Sequence, residues 1–185
     1  MNEHRKGFFS SKRYRKLILK VITIVTGILI ILFFGKTILS IMIAIILLAV
    51  GILSKLYKRF IGMSIGIEFV TLISILFCFH YGFFFGFCAA VFMTIVAGLI
   101  NGRLGMAIVP QIISYFLISV ISLLLQGVPF SLSAKILVII YNISTFTMMV
   151  FLGARPEKGI FNIALNIAVN LLCINYVGEF LLGLL

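Results

Sequence analysis

The chain contains no aspartate, and two of its four glutamates, Glu3 and Glu157, fall in segments predicted to face water. That leaves too few carboxylates for a two-metal centre or a CDP-alcohol-type phosphotransferase. The GxSxG, HExxH, P-loop and dinucleotide-binding patterns are missing as well. Cys78 and His80 are a conceivable nucleophile and base, but two residues apart on a helix they point in different directions. The three cysteines, Cys78, Cys88 and Cys173, form no CxxC pair and lie inside apolar runs, so neither a disulfide framework nor a zinc site is indicated. The expectation is a protein that is not an enzyme and that uses neither metal nor cofactor. Charge is scarce too: 10% of the 185 residues are charged against 63% hydrophobic, with a mean hydropathy of +1.33. Such a chain could not cover a water-soluble domain with polar groups.

What the chain has instead is a series of long apolar runs past residue 16. An apolar bilayer core about 30 Å thick needs about 20 residues of helix per crossing. On that ruler the runs predict seven spans, over 17–35, 37–54, 60–80, 82–101, 104–126, 134–153 and 159–183. The expected fold is an all-α polytopic transmembrane helix bundle, one helical domain from 17 to 185 behind a basic cytoplasmic segment, 1–16. Fusion of the first two runs across Phe34-Gly35-Lys36 would reduce the count to six.

The net charge of +11 would point to nucleic acid in a soluble protein. Here the cations sit at span ends, which makes anionic lipid headgroups their partner and excludes nucleic acid. With seven spans, all of the 15 basic residues except Lys36 and Lys135 fall on one side. Because positive joints stay in the cytoplasm, this predicts a cell-membrane protein with its N-terminus inside.

Helices in lipid are joined by close backbone approach and interhelical hydrogen bonds. In the fourth span Gly82, Gly86, Ala90, Thr94, Gly98 and Gly102 recur every four residues and lay down a smooth groove, and Gly62 with Gly66 adds a second pair. The groove serves packing within the bundle or docking of a membrane protein partner. Polar side chains at helical spacing mark the faces turned inward: Ser64, Glu68, Thr71 and Cys78 in the third span, Gln111, Tyr115, Ser119, Ser122 and Gln126 in the fifth, and the ladder Asn162, Asn166, Asn170 in the last. These polar residues either glue helices together or line a polar cavity. An amide without a partner in hydrocarbon costs several kcal/mol, so each asparagine should find one across an interface. Pro110 removes one backbone donor near the start of the fifth span, and Gln111 could satisfy a freed carbonyl.

Glu68 stands out. About eight residues into its span, it would lie ~12 Å from the membrane edge at 1.5 Å per residue. A charge near the bilayer centre costs about 2.5–3.5 kcal/mol on insertion scales. With no cation nearby in sequence, the carboxyl is expected to be protonated or to pair with a polar group on another helix. At the opposite end His80, Gln126 and Glu179 could form an outward-facing mouth.

The stretch GIEFVTLISILFCFHYGFFFGFCAAVFMTIVAGLING, residues 66–102, has a helix ending in a Tyr-Gly joint followed directly by a glycine-stepped helix. With the later FNIALNIAVN segment it resembles the substrate-binding components of energy-coupling-factor transporters, and equally the rod-shape-determining MreD family. The first resemblance implies a compact helical bundle that captures a vitamin-like or metal-ion substrate from outside and docks on a transmembrane coupling partner. The second implies a scaffold within a cell-wall assembly. Three readings therefore stand: a solute-binding transporter component, with Glu68 and the asparagine ladder as its polar interior; a scaffold without a ligand; and an ion- or proton-conducting bundle.

Overall fold

Backbone in lipid must satisfy its amides and carbonyls within the chain, which leaves helices as the default for long apolar runs. The computed structural model follows this rule. It describes residues 12–61, 68–102, 105–106, 108–154 and 156–185, and no strand occurs among them. In order the elements are α1 (Lys12–Ile61), α2 (Val70–Tyr81), α3 (Phe83–Ile100), α4 (Ile108–Leu124), α5 (Phe130–Phe151), α6 (Pro156–Cys173), a π-helical turn (Ile174–Gly178) and α7 (Glu179–Leu184). Four stretches are long and apolar enough to cross a membrane: Gly35–Leu56, Phe83–Ile100, Phe130–Phe151 and Gly159–Leu184. The chain is thus all-helical and built as a membrane protein. It divides into two units, Met1–Met42 and Ile43–Leu185; every site below lies in the second.

Seven separate spans are not observed. Phe34-Gly35-Lys36 lies inside α1 rather than in a turn. Reversing a helix requires residues that leave the helical φ/ψ region, and Gly35 is not among the glycines with positive φ. No proline precedes Pro110, so nothing in the first two runs breaks the ladder of hydrogen bonds. The chain's three prolines all mark helix starts: Pro110 in the first turn of α4, Pro129 just before α5, and Pro156 as the first residue of α6. There a missing amide costs nothing, because the first turn leaves its donors unbonded anyway.

The third expected span is also shorter than the pattern indicated. Phe60 and Ile61 belong to α1, and α2 begins only at Val70. At 1.5 Å per residue its 12 residues cover about 18 Å, too little for a bilayer. Its position explains how an all-round apolar helix can be so short: Val70 through Cys78 are all buried, by contacts with α3, α4, α5 and α7. A helix hydrophobic on every face belongs inside a core. The large apolar side chains that remain exposed lie on the surrounding helices, including Phe84, Phe85 and Phe92 on α3, Phe116 on α4, and Leu132 and Ile143 on α5, as expected of surfaces facing lipid.

The glycine-stepped groove of α3 is filled from within the bundle. Gly86 and Ala90 are buried, and a Cβ at Gly86 would lie 2.7 Å from both the Cys78 amide nitrogen and the Ser74 carbonyl oxygen of α2. The two helices therefore pack backbone to backbone, fastened by the Ser74 hydroxyl, which donates to the Gly86 carbonyl at 3.0 Å. Gly98 is half-buried farther along the helix. Gly82 serves differently: it is the one-residue turn between α2 and α3, at φ +97°, a conformation open to glycine at little cost, and no atom lies within 4 Å of where its Cβ would be. Gly62 and Gly66 lie outside the described residues.

Replacing Gly86 with valine should push α2 from α3 and lower stability by at least about 2 kcal/mol, whereas Gly127→Ala, with no atom within 4 Å of the added carbon, should stay within about 0.5 kcal/mol. Thermal unfolding of both variants in detergent checks this. Equal melting temperatures would refute the close packing.

Candidate functional site

Lys55 decides the site. On α1 the buried positions step by four, Leu47, Gly51, Lys55, so the stripe that packs into the bundle carries the lysine inward with it. Gly51 makes room for this approach: a Cβ there would lie 3.1 Å from Ile73 Cδ1. The ammonium ends 3.7 Å from Glu68 Oε2, with the two side chains 8% and 12% exposed. It donates to Gln111 Oε1 of α4 at 2.8 Å and to Thr94 Oγ1 of α3 at 3.0 Å, and stands 5.7 Å from the centre of the Tyr115 ring. Glu68 therefore has a cation from another helix, which the sequence did not indicate. Nor does Glu68 lie in mid-helix: it precedes α2, in non-helical backbone.

That backbone is held by the asparagine ladder. The Glu68 amide donates to Asn166 Oδ1 at 3.3 Å, and Asn170 Nδ2 donates to the Glu68 carbonyl at 3.2 Å. Asn170 also donates to Asn166 Oδ1 at 2.7 Å, and Asn166 Nδ2 donates to Asn142 Oδ1 of α5 at 2.9 Å. Two of the three ladder residues thus find partners across interfaces as expected. The third, Asn162, is half-buried and lines a cavity.

The cavity has a volume of about 180 Å³ and brings Glu68, Gln111, Asn162 and Asn166 together with Tyr141, Asn142 and Thr145 of α5. One side is formed by Phe146, Met149, Val150 and Ile163. A space of roughly 150 Å³ takes a benzene-sized guest, so this one suits a small molecule. Beneath it the Tyr115 and Tyr141 rings stack at 4.7 Å, and the Tyr141 hydroxyl donates to that of Tyr115 at 3.0 Å. Ser144 donates to Ser114 at 2.8 Å beside them. Gln111 points at Lys55 rather than at a carbonyl freed by Pro110. Thr71 is fully buried on α2 and is not part of the cavity wall.

The residues expected at the outer mouth are not joined directly. His80, Gln126 and Glu179 are all exposed, at the ends of α2 and α4 and the start of α7, and no hydrogen bond or ion pair joins them among the described residues. Cys78 is buried against Ser119, 3.4 Å away, while His80 is exposed, as their helical spacing predicts.

Sequence reading missed Lys55, Tyr141, Asn142 and Thr145. Lys55 resembled a joint residue because Lys58 and Arg59 follow it; the four-residue step from Gly51 was the signal that separates it from them. Asn142 was visible as an amide in an apolar span opposite a run of amides. No protein-family model, curated protein or solved structure matches this chain.

Removing one member of a buried ion pair strands the other charge. Lys55→Met should therefore cost about 3–5 kcal/mol, and Lys55→Met combined with Glu68→Gln should recover most of that loss. A double-mutant cycle of chemical unfolding in micelles measures it. Additive losses would show that the two side chains do not interact.

Proposed function

We propose that the bundle of residues 43–185 is a non-catalytic, solute-binding component of a membrane transport system, with its binding site in the cavity beside Lys55 and Glu68. The observation that carries this reading is the convergence of one buried ion pair and the amides of Gln111, Asn142, Asn162 and Asn166 on a single cavity of about 180 Å³. Ionisable residues inside a membrane are rare and mark substrate and ion paths. Joining α2 to α3 and α4 to α5 does not require them. The Gly86 contact and the Tyr115–Tyr141 stack already join α2 to α3 and α4 to α5, and an ion pair replaced by apolar side chains often leaves stability unchanged or higher. The resemblance to substrate-binding components of energy-coupling-factor transporters agrees with this reading; an MreD-like scaffold would have no use for the cavity.

Orientation follows from the joints. Lys58 and Arg59 lie in the last turn of α1, Arg103 follows α3, and Arg155 and Lys158 fall between α5 and the first turn of α6, while the α2–α3 turn and residues 125–129 carry no cation. The positive-inside rule turns the basic end to the cytoplasm. Val150, Ala154 and Gly159 on the cavity wall belong to that same end, so solute is exchanged with the cytosol, or released into it after capture from outside.

Thiol labelling tests both claims. With Cys88 and Cys173 replaced by serine, a small methanethiosulfonate cation should modify Thr145→Cys and Ala154→Cys in inside-out vesicles, and Gly127→Cys only in right-side-out vesicles. If position 154 reacts but 145 stays unlabelled from both sides, the cavity admits no solute and the binding reading fails.

A further inference from the structure

We infer that the cavity takes its guest from the membrane itself: a single-chain amphiphile whose hydrogen-bonding head sits among the amides and whose apolar chain leaves toward the cytoplasmic leaflet. The inference rests on the reading of the cavity as a binding site and adds the class of its ligand. Three observations support it. The first is that, on α5 and α6, polarity falls along the cavity wall as exposure rises. Tyr141, Asn142 and Asn166 are polar and buried. Nearer the basic end Phe146, Met149 and Ile163 are half-buried, and Val150 and Ala154 are exposed; all five side chains are apolar. This side of the rim offers a hydrophilic solute no hydrogen bond and suits a hydrocarbon chain.

Second, the rim lies at the edge of the membrane. Val150 is next to last in α5, and Tyr141 lies nine residues further in, about 14 Å at 1.5 Å per residue. In sequence Arg155 and Lys158 adjoin the wall residues Ala154 and Gly159, and cations gather where a chain meets lipid headgroups. Phe151 and Leu152, which follow Val150, are 86% and 62% exposed, and Phe161 is 70% exposed. Side chains this large and apolar, at the edge of a lipid-embedded bundle, meet acyl chains. A ligand that reaches this rim comes from the leaflet, and its chain stays there after its head has entered.

Third, the volume admits only part of such a molecule. About 180 Å³, against roughly 150 Å³ for a benzene-sized guest, holds a small head and the first carbons of a chain. Asn162, half-buried on the wall, gives the head an amide that both donates and accepts. Phe146 packs against Gly159, where a Cβ would lie 3.0 Å from its ring, so a larger residue at 159 would displace the ring from the wall.

The test uses the full chain in phosphatidylcholine vesicles and a monoacylglycerol carrying a photoreactive diazirine on its chain. Cross-links mapped by mass spectrometry should saturate with probe and fall on residues 146–154 and 159–163. Unlabelled monooctanoylglycerol should compete at least about tenfold more effectively than glycerol at equal total concentration, a modest figure when each methylene that leaves water is worth about fourfold. Dodecane, a chain without a head, should not compete. Asn162→Leu should reduce saturable labelling about fivefold through the lost hydrogen bond, and Gly159→Leu should reduce it through the displaced ring. Competition in the wild-type protein keeps the test decisive if neither variant folds. Folded variants with unchanged labelling overturn the seating of head and chain. Glycerol or dodecane that competes as well as the amphiphile overturns the ligand class and leaves a site for another guest. Labelling that never saturates, or that is as strong at Phe84 and Phe92 on the exposed face of α3, is bulk lipid contact and overturns the proposal; the reaction of position 145 with the thiol reagent then decides whether the solute site falls with it.

Discussion

An ammonium and a carboxylate 3.7 Å apart inside an apolar bundle constrain everything built around them. Each ion loses several kcal/mol of hydration on leaving water, and their mutual attraction restores it only when the remaining donors and acceptors are well bonded. Here the bonds come from different helices. Thr94 of α3 and Gln111 of α4 receive Lys55 of α1, and Asn166 and Asn170 of α6 hold the backbone that carries Glu68. One electrostatic requirement thus ties α1, α3, α4, α6 and the entry to α2 together at the basic end of the bundle.

The shortness of α2 belongs to the same arrangement. Non-helical backbone at membrane depth is tolerated only where protein satisfies its polar groups. At residue 68 the helix that would supply those bonds has not begun, and two asparagine side chains stand in for it, one accepting from the amide and one donating to the carbonyl. The ladder that looked like glue between helices is in part a substitute for a missing helical turn. The other end of the bundle has a different chemistry: Ser74, Cys78, Ser119 and Ser122 are small, weakly polar and bonded at close range. They let backbones approach, and they place no charge in the interior.

Much of this was legible in the sequence where a pattern was local. The helical class, the four later helices to within a few residues at most ends, although α4 falls short of the length of a span, the Tyr-Gly turn and the inward faces of α4 and α6 all followed from period and composition. The groove was read correctly at Gly86 and Ala90, where packing decides, and differently from its role at Gly82, where backbone conformation decides; a four-residue spacing does not distinguish the two. The failures were non-local. Whether Gly35 turns the chain depends on what lies on either side of it, and glycine without proline is compatible with a continuing helix. That Lys55 meets Glu68 depends on how α1 packs against α2 and α4, and adjacent Lys58 and Arg59 masked its membership of the buried stripe. His80, Gln126 and Glu179 are exposed and joined by no hydrogen bond among the described residues, since interfacial side chains have water and headgroups to satisfy them and no need of one another.

Charge in this chain has two separate jobs. The surplus of cations that gives +11 lies mostly in the N-terminal segment and near helix ends, the places at which the positive-inside rule and anionic headgroups act on a membrane protein. Lys55 is the one basic side chain buried among the described residues, and Glu68 stands 3.7 Å from it. A buried charge is costly unless it is paired and hydrogen-bonded. The cation that packing carries inward on α1 is accordingly met by a carboxylate, an amide oxygen and a hydroxyl, whereas a cation at a helix end has water and headgroups and needs no such partners.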